Sequence, residues 1–263
     1  MKKSAASFLL LLCFTVACCS FFLLEKERPV IYIIGDSTVR NGSGNGANKQ
    51  WGWGSFINEY FDTTKIGVRN EAIGGRSSRT FLTEGRWDKI MKDLKKGDYV
   101  FMQFGHNDSG PLDDTSRARG SIRGIGDESK DIFNPITKKP ETVYTYGWYL
   151  RKYIREAKAK GAIPVVCSPV PRNDWKEGKV LRSAESYGKW AREVAAAEGV
   201  NFIDLNNLVA VRYEAMGADS VKPFFPIDHT HTNIDGAKLN AAILMEALKG
   251  SPSLKLNKYL VKQ

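Results

Sequence analysis

The chain runs to 263 residues, 42% hydrophobic and 26% charged, with 39 Lys and Arg against 29 Asp and Glu and a formal net charge of +10. Three of its four cysteines, Cys13, Cys18 and Cys19, crowd the N-terminus and leave only Cys167 for the rest, which excludes a domain stapled by internal disulfides. No recognisable nucleic-acid module accompanies the basic excess, which reads either as a plain soluble basic surface or as attraction to an anionic partner of another kind.

Residues 1–24 read as a leader: Lys2 and Lys3 precede an uncharged, largely apolar run, which ends at the charged Glu25-Lys26-Glu27-Arg28. The run is about as long as a membrane span, and Thr15-Val16-Ala17-Cys18 is a loose match to a lipoprotein cleavage site. Cleavage, lipidation and retention as an anchor therefore stay open. Each places residues 25–263 outside the cytoplasm, in the periplasm, at the cell surface or in the medium, with membrane contact only through the leader or its lipid. Setting Lys2 and Lys3 aside leaves 37 basic residues against 29 acidic ones, a balance that suits an acidic polysaccharide. Residues 25–263 are enough to bury a full core, with no repeat or second domain evident, so one monomeric domain is expected.

Along the chain, short apolar runs alternate with segments of helical period. Residues 30–34 predict a strand, followed directly by Gly35-Asp36-Ser37-Thr38 and a glycine-rich stretch over 41–48. A second strand over 66–70 runs into the glycine loop Asn70-Glu71-Ala72-Ile73-Gly74-Gly75-Arg76-Ser77. Trp87, Ile90, Met91 and Leu94 predict a helix stopped by Gly97, and the strand over 99–104 ends at Gly105-His106-Asn107-Asp108. The stretch 109–140, rich in Asp, Arg, Gly and Ser, reads as a long loop bordering a site. Tyr146, Leu150, Tyr153, Ile154 and Ala157 predict a helix stopped by Gly161, then a strand over 163–168. Tyr187, Trp190, Ala191 and Val194 predict another before Gly199, followed by a strand over 201–205. After Asp228-His229-Thr230-His231 comes a last helix with Ile234, Ala237, Ala241, Leu244, Met245 and Leu248 on one stripe, its start marked by Thr232 and Asp235. Five strands alternating with helices predict a three-layer α/β sandwich around a parallel sheet.

All three histidines, His106, His229 and His231, lie in two of the islands that end these elements. A serine hydroxyl becomes a useful nucleophile beside a base, and histidine is the usual base near neutral pH. Ser37 follows a strand's C-terminal end, where open α/β sheets place their ligands. Asp228 and His231, three residues apart, allow the carboxylate to fix one imidazole nitrogen while the other faces the serine. Backbone N–H groups at Ser37 and at Gly74 or Gly75, with the Asn107 side-chain amide, are candidate donors to an oxyanion.

These four blocks, Ser37 in Gly-Asp-Ser, the second-block glycine, Asn107 in Gly-x-Asn-Asp and His231 in Asp-x-x-His, resemble the SGNH or GDSL-like hydrolase superfamily. That resemblance implies a flavodoxin-like fold. Gly-Asp-Ser-Thr, Asn-Glu-Ala-Ile-Gly-Gly-Arg-Ser, Phe-Gly-His-Asn-Asp and Asp-His-Thr-His-Thr resemble more narrowly the rhamnogalacturonan acetylesterase family of carbohydrate esterases. This implies removal of O-acetyl groups from pectic rhamnogalacturonan by Ser37, His231 and Asp228. It assigns the oxyanion N–H to Gly75 and the base to His231, and it needs no metal or organic cofactor.

Of the neighbouring residues, His229 is expected at the rim, touching substrate; with His231 and Asp228 it also makes a formal zinc set, which would leave Ser37 and Asn107 without a role. Asp36 and Asp108 are expected to brace Ser37 and Asn107, and His106 to be structural. Arg76, Arg79 and Arg86 are candidates for a uronate carboxylate or for a solvated helix face, with Arg76 best placed. Trp51 and Trp53 can stack on sugar rings or pack the next helix. The competing readings are a lipase or thioesterase on the same site, a deacetylase of another polysaccharide such as xylan, and a carbohydrate-binding protein with a dead site.

Overall fold

In a computed structural model, residues 28–40 and 46–261 are described. The expected leader over 1–24 and much of the glycine-rich stretch lie outside them. Five parallel strands form the central sheet: β1 (Val30–Gly35), β2 (Gly67–Asn70), β3 (Tyr99–Gln103), β6 (Ile163–Cys167) and β7 (Asn201–Ile203), in the order β2-β1-β3-β6-β7. Within the sheet this is the flavodoxin-like order, whose direction reverses between β1 and β3.

The inner strands β1, β3 and β6 are apolar on both sides because each side meets helices. Ile31 and Ile33 of β1, Phe101 of β3, and Val165 and Cys167 of β6 face one cluster. Tyr32, Ile34, Val100, Met102 and Val166 alternate into the other. The first cluster is closed by a 3-10 helix (Trp53–Tyr60) and by the helices Leu205–Met216 and Ile234–Lys249. The second is closed by α1 (Ser78–Thr83), α2 (Arg86–Asp93), α3 (Tyr146–Ala159) and α4 (Tyr187–Ala197). The two C-terminal helices of the first face are α5 (Leu205–Met216) and α6 (Ile234–Lys249). Among the described residues no helix is long and apolar enough to cross a membrane.

Two local expectations are corrected. The N-cap of α6 is Asn233, whose side chain accepts from Gly236 N at 3.0 Å. Thr232 instead forms a bridge to Trp51: Trp51 N donates to Thr232 O at 2.8 Å and Thr232 Oγ1 to Trp51 O at 3.0 Å. The stretch expected as a loop contains a hairpin, β4 (Ser129–Asn134) and β5 (Lys139–Tyr144), paired antiparallel. Arg79, buried to 0% exposure at the base of this excursion, holds it with four N–H donors. Its Nε and Nη2 reach the two Glu141 oxygens at 2.7 and 2.9 Å, and Nη1 reaches the carbonyls of Leu112 and Gly120, each at 2.8 Å. Arg79 is thus neither a solvated residue nor a substrate contact.

Candidate active site

Ser37 sits in the turn leaving β1, where Asp36 O accepts from the backbone N–H of Val39 and of Arg40 at 3.2 and 3.1 Å. Its Oγ lies 2.8 Å from Nε2 of His231. Nδ1 of His231 lies 2.7 Å from Asp228 Oδ2, while Asp228 Oδ1 accepts from Thr230 N and His231 N at 2.7 and 2.8 Å. Burial pushes the Asp228 carboxyl up, but the bonds from His231 and the two amides outweigh it and hold it below the usual carboxylate range. An ionised Asp228 and an Nδ1–H tautomer leave Nε2 free to accept from the serine.

The glycine loop is fixed through its carbonyls. Gly74 O accepts from Arg76 Nη1 at 3.0 Å, Gly75 O from Arg119 Nη1 at 3.2 Å, and Arg76 O from Asn107 Nδ2 at 3.0 Å. Three consecutive carbonyls are therefore engaged by side chains. Among the described residues neither Gly74 N nor Gly75 N donates to another backbone group. Gly75 has φ +77, a conformation glycine adopts without strain.

Beneath Ser37 runs a buried network that joins Asp36 and His106 to two residues the sequence did not suggest for it, Trp53 and Gln103. Trp53 Nε1 donates to Gln103 Oε1 at 2.9 Å, Gln103 Nε2 to Thr38 Oγ1 at 2.7 Å, and Thr38 Oγ1 and N to Asp36 Oδ1 at 2.7 and 2.8 Å. On its far side Asp36 Oδ2 lies 3.3 Å from His106 Nδ1, and His106 Nε2 donates to Val170 O at 3.0 Å. Burial alone would raise the Asp36 carboxyl, but His106 and the Thr38 bonds hold it low. Trp53 is therefore committed to the core. Trp53→Phe leaves a void where the larger indole was fully buried and leaves Gln103 Oε1 with only the longer bond from Val170 N, 3.4 Å, so the unfolding free energy is expected to fall by at least about 1–2 kcal/mol. An unchanged urea midpoint would show that Gln103 does not depend on this bond.

Asp108 joins three segments. Its Oδ1 accepts from Ser78 N at 3.1 Å, Ser78 Oγ at 2.5 Å and Ser121 Oγ at 3.0 Å. Burial dominates these bonds and pushes its carboxyl up to about 6. The folded state then holds this proton more tightly than the unfolded chain. The Asp108 contribution is most favourable below about pH 4 and is lost as pH rises to about 6, an effect on the order of 2–3 kcal/mol. Asp36 and Asp228 act in the opposite sense, so the test is a difference. Wild-type stability minus that of Asp108→Asn, from urea titrations at pH 4 to 7, should fall across this window and be flat above it; a constant difference would refute the assignment.

A cavity of about 1040 Å³ opens at Ser37 and His231, lined also by Gly74, Gly75 and Asn107. Among the described residues, five arginines, Arg40, Arg76, Arg117, Arg119 and Arg172, share its wall with a single acid, Glu84. Arg76 is paired to Glu84 at 2.9 Å. Arg40 and Arg172 instead donate to Asn70 O and to Thr230 Oγ1, at 3.0 and 3.1 Å. Burial, and then the neighbouring Arg117 charge, pull Arg119 below the ordinary guanidinium value.

Residues 33–239 match the GDSL-like Lipase/Acylhydrolase family. The chain belongs to this family. It is 35% identical over 236 residues to a rhamnogalacturonan acetylesterase of Emericella nidulans, spanning 89% of this chain and 91% of that one. It is 34% identical over 224 residues to a probable rhamnogalacturonan acetylesterase of Bacillus subtilis, spanning 83% and 92%. A crystal structure of another Bacillus subtilis protein matches with a TM-score of 0.68 at 28% identity, over 85% of this chain and 57% of that one. An acetylxylan esterase of Geobacillus stearothermophilus, at 16% identity, shares the fold with a TM-score of 0.53 over 83% and 93% of the two chains. With such relatives, this GDSL-like protein is an esterase.

Two expected substrate contacts of the GDSL-like esterase lie elsewhere. His229 does not line the Ser37 cavity; its Nδ1 meets Asp174 Oδ1 at 2.7 Å, and it is 56% exposed. It therefore does not join His231 and Asp228 around a common point, and among the described residues no group of three side chains is placed to hold a metal. Trp51 does not line the cavity either but packs on Phe56, ring centroids 5.4 Å apart. Its position matters through the backbone, where the bridge to Thr232 ties down the segment that carries His231. Arg117, Arg119 and Arg172 went unrecognised because their segments carry no motif of their own; for Arg117 and Arg119 the one signal was the arginine content of 109–140.

Proposed function

We propose that this chain is an exported serine esterase that removes O-acetyl groups from an acidic pectic polysaccharide, rhamnogalacturonan. The relay from Ser37 Oγ through His231 to Asp228, opening into an arginine-walled cavity, is the observation that carries this reading. His231 Nε2 takes the Ser37 proton as Oγ attacks the acetyl carbonyl, and Asp228 stabilises the imidazolium that forms. Negative charge on the carbonyl oxygen falls to the N–H groups of Ser37 and Gly75 and to the second N–H of the Asn107 amide, whose first is taken by Arg76 O. His231 then protonates the departing sugar hydroxyl. Water, activated by the same ring, attacks the acetyl-serine, and acetate leaves with Ser37 restored. This route uses no cofactor.

The unmatched guanidiniums give the cavity a net positive field, which favours a uronate-bearing polymer over a neutral one. The names of the Emericella and Bacillus relatives point to the same substrate. Acetate release from acetylated rhamnogalacturonan and from acetylated xylan, by wild type and Ser37→Ala in parallel, tests this. Serine-dependent release from the pectic polymer is expected. Release from xylan alone would overturn the substrate, and release from neither would return the lipase and binding-protein readings.

A further inference from the structure

We propose that a second cavity, of about 330 Å³, is a carbohydrate subsite that takes the next negatively charged sugar along the polymer from the one deacetylated at Ser37. This rests on the polysaccharide reading above. The two cavities share His106 and Arg172 as wall, so a chain lying over these residues reaches both.

Its lining holds an unusual concentration of unmet polar capacity. Among the described residues, the buried side-chain polar atoms without a hydrogen-bond partner are Ser183 Oγ and Tyr187 OH, and both residues line this cavity. Buried hydroxyls are ordinarily satisfied; these two lie just behind the cavity wall, shielded from solvent, and a ligand rich in hydroxyl groups can meet them once a turn of either side chain exposes them. Burial, then Asp108, push the Tyr187 phenol above the ordinary tyrosine range, and Arg123 pulls the other way, so hydroxyl and guanidinium share one neighbourhood.

Charge sets the sign of the ligand. Of the arginines here, Arg182 is matched by Glu214 at 2.6 Å, and Asp174 is taken by His229. Arg123, its guanidinium 5.7 Å from the Trp190 ring centroid, and Arg172 have no carboxylate in salt-bridge range among the described residues. Leu181, 52% exposed, offers an apolar surface at the same wall. Two unmatched cations, two orphan hydroxyls and an apolar surface fit a uronate ring.

The test is calorimetric titration of deacetylated rhamnogalacturonan oligosaccharides, with neutral xylo-oligosaccharides beside them, into wild type, Arg123→Ala, Ser183→Ala and Tyr187→Phe. Thermal melting shows which variants are folded. The acidic oligosaccharide should bind wild type more tightly than the neutral one, and Arg123→Ala should weaken it about tenfold. Smaller losses are expected for the two hydroxyl deletions; if Tyr187→Phe fails to fold, Arg123→Ala and Ser183→Ala decide. Equal affinity of wild type and Arg123→Ala, no binding by wild type, or equal binding of neutral and acidic sugars would each overturn the subsite. Binding without acetate release would instead refute the deacetylase reading and leave the subsite standing.

Discussion

Replacing Ser37 by Ala is expected to lower kcat on a short acetyl ester by about three to six orders of magnitude, with His231→Ala as severe and the double variant scarcely worse. Ser37 Oγ and His231 Nε2 are 2.8 Å apart, and in the proposed mechanism they act as one unit, so removing either would abolish the same attack. Asp228→Asn should cost about 10⁴-fold, because an amide beside Nδ1 no longer enforces the tautomer that leaves Nε2 unprotonated. The wild-type carboxylate does this through a 2.7 Å contact while two backbone amides orient it. Single-turnover kinetics with an aryl acetate decide the matter. A Ser37→Ala variant retaining a tenth of the wild-type rate would exclude an acyl-serine, and additive losses in the double variant would exclude a shared step.

Arg79→Ala should reduce stability by about 3–5 kcal/mol, the range for breaking a buried ion pair from one side. The Glu141 carboxylate would lose both guanidinium bonds and keep Asn134, whose Nδ2 donates to it at 2.5 Å. The carbonyls of Leu112 and Gly120 would lose their donors together. Arg79→Lys should recover little, since one ammonium cannot reproduce a planar fork on a carboxylate and two further bonds. The damage should concentrate in residues 109–144. Thermal melting together with limited proteolysis is the measurement. Cleavage inside that segment in Arg79→Ala, at temperatures where wild type resists, is expected. A melting temperature equal to that of wild type would show that Arg79 does not anchor the excursion.

The central sheet was legible chiefly because its inner strands are buried on both sides and therefore read as continuous apolar runs: 163–168 in the sequence became Ile163–Cys167 in the fold. Helix α5 was not. Leu205, Val209, Ala210 and Tyr213 face the core, but Leu208 and Val211 are exposed, so the apolar stripe is blurred, and Asn206-Asn207 mimics a turn. The hairpin escaped for a related reason: β4 and β5 are mostly solvated, Phe133 is 62% exposed, and burial imposes no alternation on them. Within the site, Ser37, His231 and Asp228 were singled out because chemistry ties their residue types to fixed places at strand ends. Gln103 was not, because its hydrogen bonds run to Trp53, 50 residues away, and to Thr38, 65 residues away. The same holds for Arg79, whose partner Glu141 is 62 residues on. Partners so distant are chosen by the completed fold, and no local pattern records them.

The side-chain grip on the carbonyls of Gly74, Gly75 and Arg76 has a consequence for redesign. One of its three donors, Arg119, belongs to the excursion between β3 and α3, whereas Arg76 and Asn107 belong to the loops after β2 and β3. Pruning that excursion to admit bulkier esters would enlarge the entrance and, in the same cut, release the peptide dipoles proposed to meet the developing oxyanion. Such a shortened enzyme would trade turnover for access, and restoring a fixed donor to Gly75 O from elsewhere would be the first repair to make.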